Sequence, residues 1–352
     1  MAFTRRTFMR WGGLVPPLLV ANPFGVFRSL IGPKGDQRPA KSLPANPFVR
    51  DGRTLVSMVH GTDVPRMIAE AIALIGGLDR LAVRGKTVLV KPNVVSSDPP
   101  PTTTNPAVVA AVVRLLVEAE ARRVIVGEMS GVIRLPTWRN LEETGVARVA
   151  REAGAEVITF DDGEWIEVKP PRARLVDRIH VAKPVYEADL LVNVPVVKTH
   201  AYAGYSICLK NLVGVTHPRY RPYRINASKW EELVAEMNLA AHPSLNVVDA
   251  TTCMIAGGPV GGTAATTNLI LASGDRVAAD VVGLALIARA GQWEKVTSLG
   301  VWKQRQIWHA QALGVGLTDP ASLALVARSL ETDAGEFERL LDDVHRLTGV
   351  SA

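Results

Sequence analysis

The chain has 352 residues, of which 47% are hydrophobic and 21% are charged, and its formal net charge is +6. This composition excludes a disordered chain, and the length is sufficient for one large core or two smaller ones. The basic residues form no block interleaved with aromatic residues. This argues against nucleic-acid binding and leaves small anionic ligands, an anionic surface or simple solubility as explanations.

The first thirty residues predict an export signal. The segment TRRTFMR at 4–10 resembles a twin-arginine signal, and the weakly apolar segment 11–27 follows it. Glycines and prolines interrupt this second segment, so a stable membrane-spanning helix of ~20 apolar residues is not expected. Twin-arginine signals are addresses read by the export machinery, and they direct folded proteins to the periplasm or another extracytoplasmic space. Cleavage of the signal and its retention as a membrane tether both remain open.

The twin-arginine route often carries proteins with a cofactor already inserted, and this raises the expectation of a cofactor without identifying it. Residues 31–52 are rich in Pro, Gly and Lys and predict a linker.

Segments rich in apolar and β-branched residues predict strands, and segments with apolar residues at helical spacing predict helices. The strands cover 55–60, 86–93, 123–130, 155–162, the apolar run that begins at 189, 245–250 and 268–273. The helices cover 63–75, 105–116, 138–153, 205–213, 229–242 and 278–289. Between them lie a less regular β region at 163–185 and a basic loop rich in Tyr and Pro at 217–224.

This alternation predicts an α/β fold, a layered sheet of mostly parallel strands flanked by helices and joined by right-handed crossovers. We assign residues 53–315 to this domain. From residue 301 onward the pattern is helical without a new strand, so an all-helical C-terminal section is expected, with 316–352 as its C-terminal helices.

Polar side chains follow several of the predicted strands. The strand ends carry Lys91 and Asn93, Glu128 and Ser130, Lys198 and His200, and Asp249, and Lys210 and Asn211 come shortly afterwards. Ligands of open parallel sheets bind beyond the carboxyl ends of the strands, so these side chains are expected to converge on one crevice. Lysines there would hold a phosphate, a carboxylate or a metal-bound anion.

Several residues have both a chemical and a structural interpretation. His200 is a candidate metal ligand or general acid/base, or a structural histidine. Asp249 is a candidate base, metal ligand or hydrogen-bond partner of that imidazole, or a turn or cap residue. If the chain is an enzyme, we assign His200 and Asp249 as the catalytic residues that move a proton while the lysines hold the anion.

The glycine-rich loop at 257–262 lets backbone amides approach an anion closely, and Gly258 and Gly261 are the cofactor-binding candidates within it. The loop matches neither the P-loop nor the dinucleotide fingerprint. The histidines show no HExxH arrangement, so metal-ligand spacing is poor, and the lack of a GxSxG elbow disfavours a nucleophilic hydrolase.

The chain resembles the Domain of Unknown Function 362 family over roughly residues 55–315. The matching motifs are VLVKPNVV at 88–95, TTNPAVVAAVVRLL at 103–116, LLVNVPVVKTHAYAGYSICLKNLVG at 190–214, LNVVDATTCMIAGGPVGG at 245–262 and LASGDRVAADVVG at 271–283. The resemblance implies that the family's motif residues correspond here to Lys91, Asn93, Asn105, Lys198, His200, Lys210, Asn211, Asp249 and Asp280.

Many family members carry a cysteine-rich, ferredoxin-like extension. This chain has only two cysteines, Cys208 and Cys253, so direct binding of an iron–sulfur cluster is not expected and the redox association carries over only weakly. The two cysteines either form one disulfide in an oxidising compartment or remain as buried free thiols.

The function expected from the sequence is binding of an anionic ligand or cofactor in a Lys/His/Asp crevice of an exported protein. The alternatives are a non-catalytic accessory or assembly subunit of an exported redox complex and, third, a metal-dependent hydrolase.

Overall fold

The computed structural model describes residues 35–350. The strands are β1 (Asp36–Gln37), β2 (Val49–Arg50), β3 (Arg53–His60), β4 (Thr87–Pro92), β5 (Arg123–Glu128), β6 (Glu156–Thr159), β7 (Trp165–Val168), β8 (Ile179–Ala182), β9 (Leu190–Val194), β10 (Val196–His200), β11 (Gly204–Ser206), β12 (Leu245–Ala256), β13 (Thr263–Ser273) and β14 (Leu323–Ser329).

The helices are α1 (Val64–Leu74), α2 (Pro106–Glu118), α3 (Thr137–Glu143), α4 (Val146–Glu152), α5 (Lys183–Glu187), α6 (Cys208–Asn211), α7 (Pro222–Ile225), α8 (Trp230–Met237), α9 (Arg276–Ala290), α10 (Glu294–Thr297), α11 (Arg305–Ala312) and α12 (Gly335–Thr348).

One large sheet forms the centre of the fold. Its main path has the strand order β14-β3-β13-β12-β9-β4-β5-β6, with β10 added beside β12, β11 beside β10 and β2 beside β3. The run from β12 through β9, β4 and β5 to β6 is parallel, whereas β13 is antiparallel to both of its neighbours. The predicted α/β fold with a mostly parallel sheet is therefore confirmed.

Helices cover both faces of this sheet. Alternate side chains of β4 enter different cores, because Leu89 packs into one hydrophobic cluster while Val88 and Val90 pack into the other. The helices α1, α2 and α4 supply the second cluster, and α9 supplies much of the first. A parallel strand buried on both faces needs an apolar residue at nearly every position, which is why these strands read as continuous apolar runs.

The expectation of an all-helical C-terminal section is wrong. Strand β14 lies within it and pairs in parallel with β3, from Leu323 opposite Thr54 to Ser329 opposite His60. The segment is short and mostly half-buried, and its partner lies about 270 residues earlier in the chain, so local apolar spacing did not reveal the pairing.

Part of the predicted linker packs against the domain. Strand β1 pairs with β7 in a small sheet completed by β8, β2 pairs with β3, and the side chain of Phe48 between them is fully buried. The irregular region at 163–185 forms the other two strands of that small sheet.

The predicted signal at 1–30 lies outside the described residues. Within residues 35–350, none of the helices combines the length and the apolar character needed to cross a membrane.

Candidate functional site

A buried ion pair joins the ends of two neighbouring strands. Lys91 and Glu128 lie at the ends of the paired strands β4 and β5, and the Lys91 ammonium donates to both carboxylate oxygens of Glu128, at 2.7 and 2.8 Å. The backbone N–H groups of Val94 and Met129 also donate to Glu128. Both charged side chains are at most 2% exposed. Glu128 therefore neutralises Lys91 and fixes the chain where β4 ends.

A chain of asparagine side chains runs from this pair across the sheet. Asn93 donates to Asn211 (3.0 Å), Asn211 donates to Asn193 (2.8 Å), and Asn193 donates to Asn246 (2.9 Å). The Oδ1 atom of Asn211 also accepts from the Lys91 ammonium. The predicted residues Asn93 and Asn211 are thus in direct contact with each other, and Asn211 also contacts Lys91.

Lys198 enters the same cluster from β10. Its ammonium donates to Oδ1 of Asn93 at 2.5 Å and to the carbonyl of Thr102 at 2.6 Å, and the side chain is only 2% exposed. Neither partner carries a negative charge. Burial, reinforced by the positive charge of Lys210, lowers the pKa of Lys198 to about 7.

Lys210 and Arg221 line a small cavity of about 50 Å³ beside the ion pair. Lys210 belongs to the short helix α6 and is partly exposed. Arg221 is buried and donates to the carbonyls of Ser130 (3.0 Å) and Met129 (3.3 Å), while its Nε has no hydrogen-bond partner. Burial and the neighbouring Arg221 and Lys91 lower the pKa of Lys210 to about 8.

The cluster carries an excess of positive charge. Four cationic groups, Lys91, Lys198, Lys210 and Arg221, surround one carboxylate, that of Glu128. The next carboxylates, Asp98 and Asp161, make no ion pair with these groups in the described part of the chain. They instead accept hydrogen bonds from hydroxyl groups on nearby loops and helices.

His200 occupies the end of β10, beyond Lys198. Its Nδ1 accepts the backbone N–H groups of Tyr202 (3.2 Å) and Ala203 (3.1 Å), so this nitrogen carries no proton. Burial, then the positive charges of Lys210 and Lys198, hold the pKa of His200 well below its ordinary value. The imidazole is therefore neutral at physiological pH.

Asp249 does not pair with His200. It lies opposite Val196, four residues before His200 on the neighbouring strand. One carboxylate oxygen accepts the backbone N–H of Asn105 (2.7 Å), and the other accepts the N–H and hydroxyl of Thr251. Burial raises the pKa of Asp249, and these hydrogen bonds oppose the rise. The carboxylate thus anchors the start of α2, and the catalytic roles of both residues stay predictions.

Asn105 caps helix α2, and its side chain accepts the backbone N–H of Ala107 at 3.0 Å. Asp280 likewise lies away from the cavity. It is fully buried in α9 and accepts from the Tyr205 hydroxyl and the backbone N–H of Cys208, and its burial raises its pKa to about 7. Both motif residues have clear structural contacts.

The glycine loop packs against β10. A Cβ on Gly258 would lie 2.4 Å from the carbonyl oxygen of Thr199, whereas a Cβ on Gly261 would meet open space. Both glycines have positive φ angles, of 74° and 70°. Gly258 is therefore required for close approach of the loop to the strand, and its predicted contact with an anion is not tested.

Both cysteines are buried free thiols. Burial raises the pKa of Cys253 to about 12 and that of Cys208 well above its ordinary value, so neither thiol ionises near neutral pH. Within residues 35–350, no group of three or more His, Cys, Asp and Glu side chains is arranged to hold a metal ion.

The sequence reasoning missed two important members of the cluster. Arg221 was assigned to a surface loop, but it reaches back to the end of β5, about 90 residues earlier. Asn193, within β9, was not singled out in the apolar run that begins at residue 189. A polar residue inside a fully buried strand was the available signal, because such a residue needs a hydrogen-bond partner.

A larger cavity, of about 450 Å³, lies at the opposite edge of the sheet, where β3, β9 and β12 begin. Its charged lining residues already have partners. Asp275 caps α9 by accepting from Val277 and Ala278, and Arg276 donates to the carbonyl of Ala241. The smaller cavity therefore has the chemical character of a ligand site, although it encloses less space.

Among curated proteins, the chain is similar to a thylakoid-associated protein of Synechocystis sp. (strain ATCC 27184 / PCC 6803 / Kazusa), with 25% identity over 220 residues. The aligned region covers 59% of this chain and 65% of that relative, which is less than two thirds of its length.

Two solved structures show partial similarity. The lactate racemase apoprotein of Thermoanaerobacterium thermosaccharolyticum matches with a TM-score of 0.39 and 16% identity, over 61% of this chain and 54% of that one. A protein from Thermotoga maritima matches with a TM-score of 0.30 and 12% identity, over 53% and 49% of the two chains.

The motifs quoted from the sequence fall in the part of the chain that a family model matches. That model covers residues 88–285, which include the ion pair, the asparagine chain and all three lysines of the cluster. The chain belongs to the family described as domain of unknown function 362 (DUF362).

Proposed function

We propose that the chain binds a small anionic ligand, one that bears a phosphate or carboxylate group, in the cavity lined by Lys210 and Arg221. The observation that carries this proposal is the charge balance, since Lys198, Lys210 and Arg221 have no carboxylate partner while Lys91 is neutralised by Glu128. Buried charges are unfavourable unless they are paired. A bound anion would offset that cost and complete the site.

The gathering of the strand ends favours ligand binding over the accessory-subunit alternative. Residues from β4, β10 and α6 contact one another through Asn93 and Asn211. A protein that acts only through its outer surface does not require such convergence. A cavity of about 50 Å³ has room for roughly three or four water-sized groups, which indicates a small ligand or the anionic end of a larger one.

Export by the twin-arginine machinery remains part of the proposal and rests on the sequence of residues 4–10. We also propose that the exported protein associates with subunits of a redox complex.

We expect Lys210→Met to weaken anion binding by about tenfold or more, because a charge-assisted hydrogen bond contributes about 1.5–3 kcal/mol. Isothermal titration calorimetry with inorganic phosphate and with sulfate would measure the affinity. Lys303→Met is the matched control, since Lys303 is exposed and does not line the cavity. Equal affinities of the two variants, or no anion binding by the wild-type chain, would refute the proposal.

Anion affinity should rise as the pH falls from 9 to 6. Lys210, with a pKa of about 8, and Lys198, with a pKa of about 7, are mostly neutral at the upper end of this range and become charged at the lower end. An anion binds the protonated forms more tightly, so binding takes up protons. Sulfate is the suitable probe because its own charge is constant over this range.

Among the described residues, the other charged or titratable groups that act on the two lysines are Lys91, Glu128, Arg221, Asp98 and His200. Lys91 is paired with Glu128, and His200 stays neutral because burial holds its pKa well below the ordinary value. A sulfate affinity that does not change with pH would show that neither lysine contacts the anion.

A further inference from the structure

The amine of Lys210 differs from those of the other two lysines in the cluster. Lys91 donates to a carboxylate, and Lys198 donates to Asn93 and Thr102. Lys210 makes no hydrogen bond or ion pair within residues 35–350, yet its side chain lines the cavity and is partly exposed. Lys210 thus borders a space that a ligand can enter. The Glu128 carboxylate lines the same cavity, but it already accepts from Lys91, Val94 and Met129.

The surroundings of this amine favour its neutral, nucleophilic form. Arg221 and Lys91 lie close enough to repel a further positive charge, and burial in the cluster acts in the same direction. Both effects lower the pKa of Lys210 to about 8, so roughly a tenth of the amine is neutral at pH 7, far more than for an ordinary lysine. An amine held beside a cationic group is a known arrangement for attack on a carbonyl carbon.

We propose that Lys210 forms a reversible imine with the carbonyl carbon of a small oxoacid whose carboxylate is held by Arg221. This inference rests on the proposed anion site and assigns its substrate class. The Nζ lone pair attacks the carbonyl carbon, and the C=O π electrons move to oxygen. The carbinolamine then loses water, which carries away the former carbonyl oxygen and both amine protons, and leaves C=N. No oxidant or reductant is needed.

The size of the cavity matches this substrate class. An α-oxoacid such as glyoxylate places a carboxylate and a carbonyl on adjacent carbons, so both groups fit a space of about 50 Å³. Arg221 can bind the carboxylate through two parallel N–H donors, a geometry that a lysine does not offer. Lys210 is then the remaining group at the carbonyl end.

The test is reductive trapping on the full chain. Wild-type protein is incubated with glyoxylate and sodium cyanoborohydride, and peptides are mapped by mass spectrometry for carboxymethyl-lysine. We expect labelling of Lys210 to exceed that of the exposed Lys303 by about tenfold or more, to be suppressed by sulfate and to disappear in Lys210→Arg. Acetaldehyde, which lacks the carboxylate, should label Lys210 no faster than Lys303.

The outcomes separate this inference from the anion site itself. Sulfate binding without selective glyoxylate labelling of Lys210 would overturn the imine and leave the proposed function standing. Absence of both sulfate binding and labelling would overturn both. Equal labelling of Lys210 and Lys303 would mean ordinary surface chemistry and would also overturn the imine. Because the adduct is located on the wild-type chain, the result does not depend on folding of the variant.

Discussion

Replacing Glu128 with glutamine is expected to lower the free energy of unfolding by about 3–5 kcal/mol, because it leaves the ammonium of Lys91 buried without a negative partner. The lysine is 1% exposed and cannot reach water for compensation. Glutamine also presents one acceptor oxygen where the carboxylate used two, so it cannot serve Lys91, Val94 and Met129 together. Urea denaturation monitored by circular dichroism would measure the change.

Two comparisons make that measurement specific. Glu156→Gln removes an exposed ion pair with Arg123 at 2.6 Å, and it should cost less than about 1 kcal/mol. The double variant Lys91→Met with Glu128→Gln should recover part of the lost stability, since it removes the unpaired charge as well. If Glu128→Gln alone were as stable as the wild type, water or an ion would have to reach Lys91.

Replacing Gly258 with alanine is expected to cost about 3 kcal/mol of unfolding free energy. The new Cβ would lie 2.4 Å from the carbonyl oxygen of Thr199, and the φ angle of 74° disfavours any residue with a Cβ. Thr199 belongs to β10, which is paired on both sides and cannot move away easily. Thermal and urea unfolding should both register the loss.

Gly261→Ala provides the matched control for this change. Its φ angle is 70°, but a Cβ there would meet open space, so only the backbone term of about 1–2 kcal/mol applies. Similar costs at the two positions would mean that contact with β10 does not determine the need for glycine at 258. A loss of sulfate affinity in Gly261→Ala, with no loss of stability beyond this backbone term, would support the predicted anion contact of the loop.

Much of the site could be predicted from the sequence because the carboxyl ends of parallel strands share one edge of a sheet. Lys91, Asn93 and Lys198 were expected together for this reason, and hydrogen bonds join all three, with Asn211 linking Lys91 to Asn93. It did not settle the pairing of His200 with Asp249. Their separation depends on strand register, and register is fixed by contacts between distant segments.

Long-range contacts also explain the other differences. The partner of β14 is β3, at the far end of the chain, and the residues around Arg221 have the composition of an exposed loop although its guanidinium is buried. The ion pair between Lys91 and Glu128 could not be predicted either, because the sequence shows two polar strand ends without showing that they face each other. Local patterns therefore located the groups of the site but not their partners.

The asparagine chain has a polarity with a consequence for ligand entry. Lys91 is an ammonium ion and can only donate, so it forces Oδ1 of Asn211 towards itself and Nδ2 towards Asn193. The amide of Asn193 must then donate onward to Asn246, and no single amide in the row can rotate alone. A ligand that drew Asn93 aside would leave the orientations of Asn211, Asn193 and Asn246 unchanged, because Lys91 still fixes the amide of Asn211. The dipoles behind the cavity are thus set in advance, and an arriving anion meets a framework that needs no rearrangement.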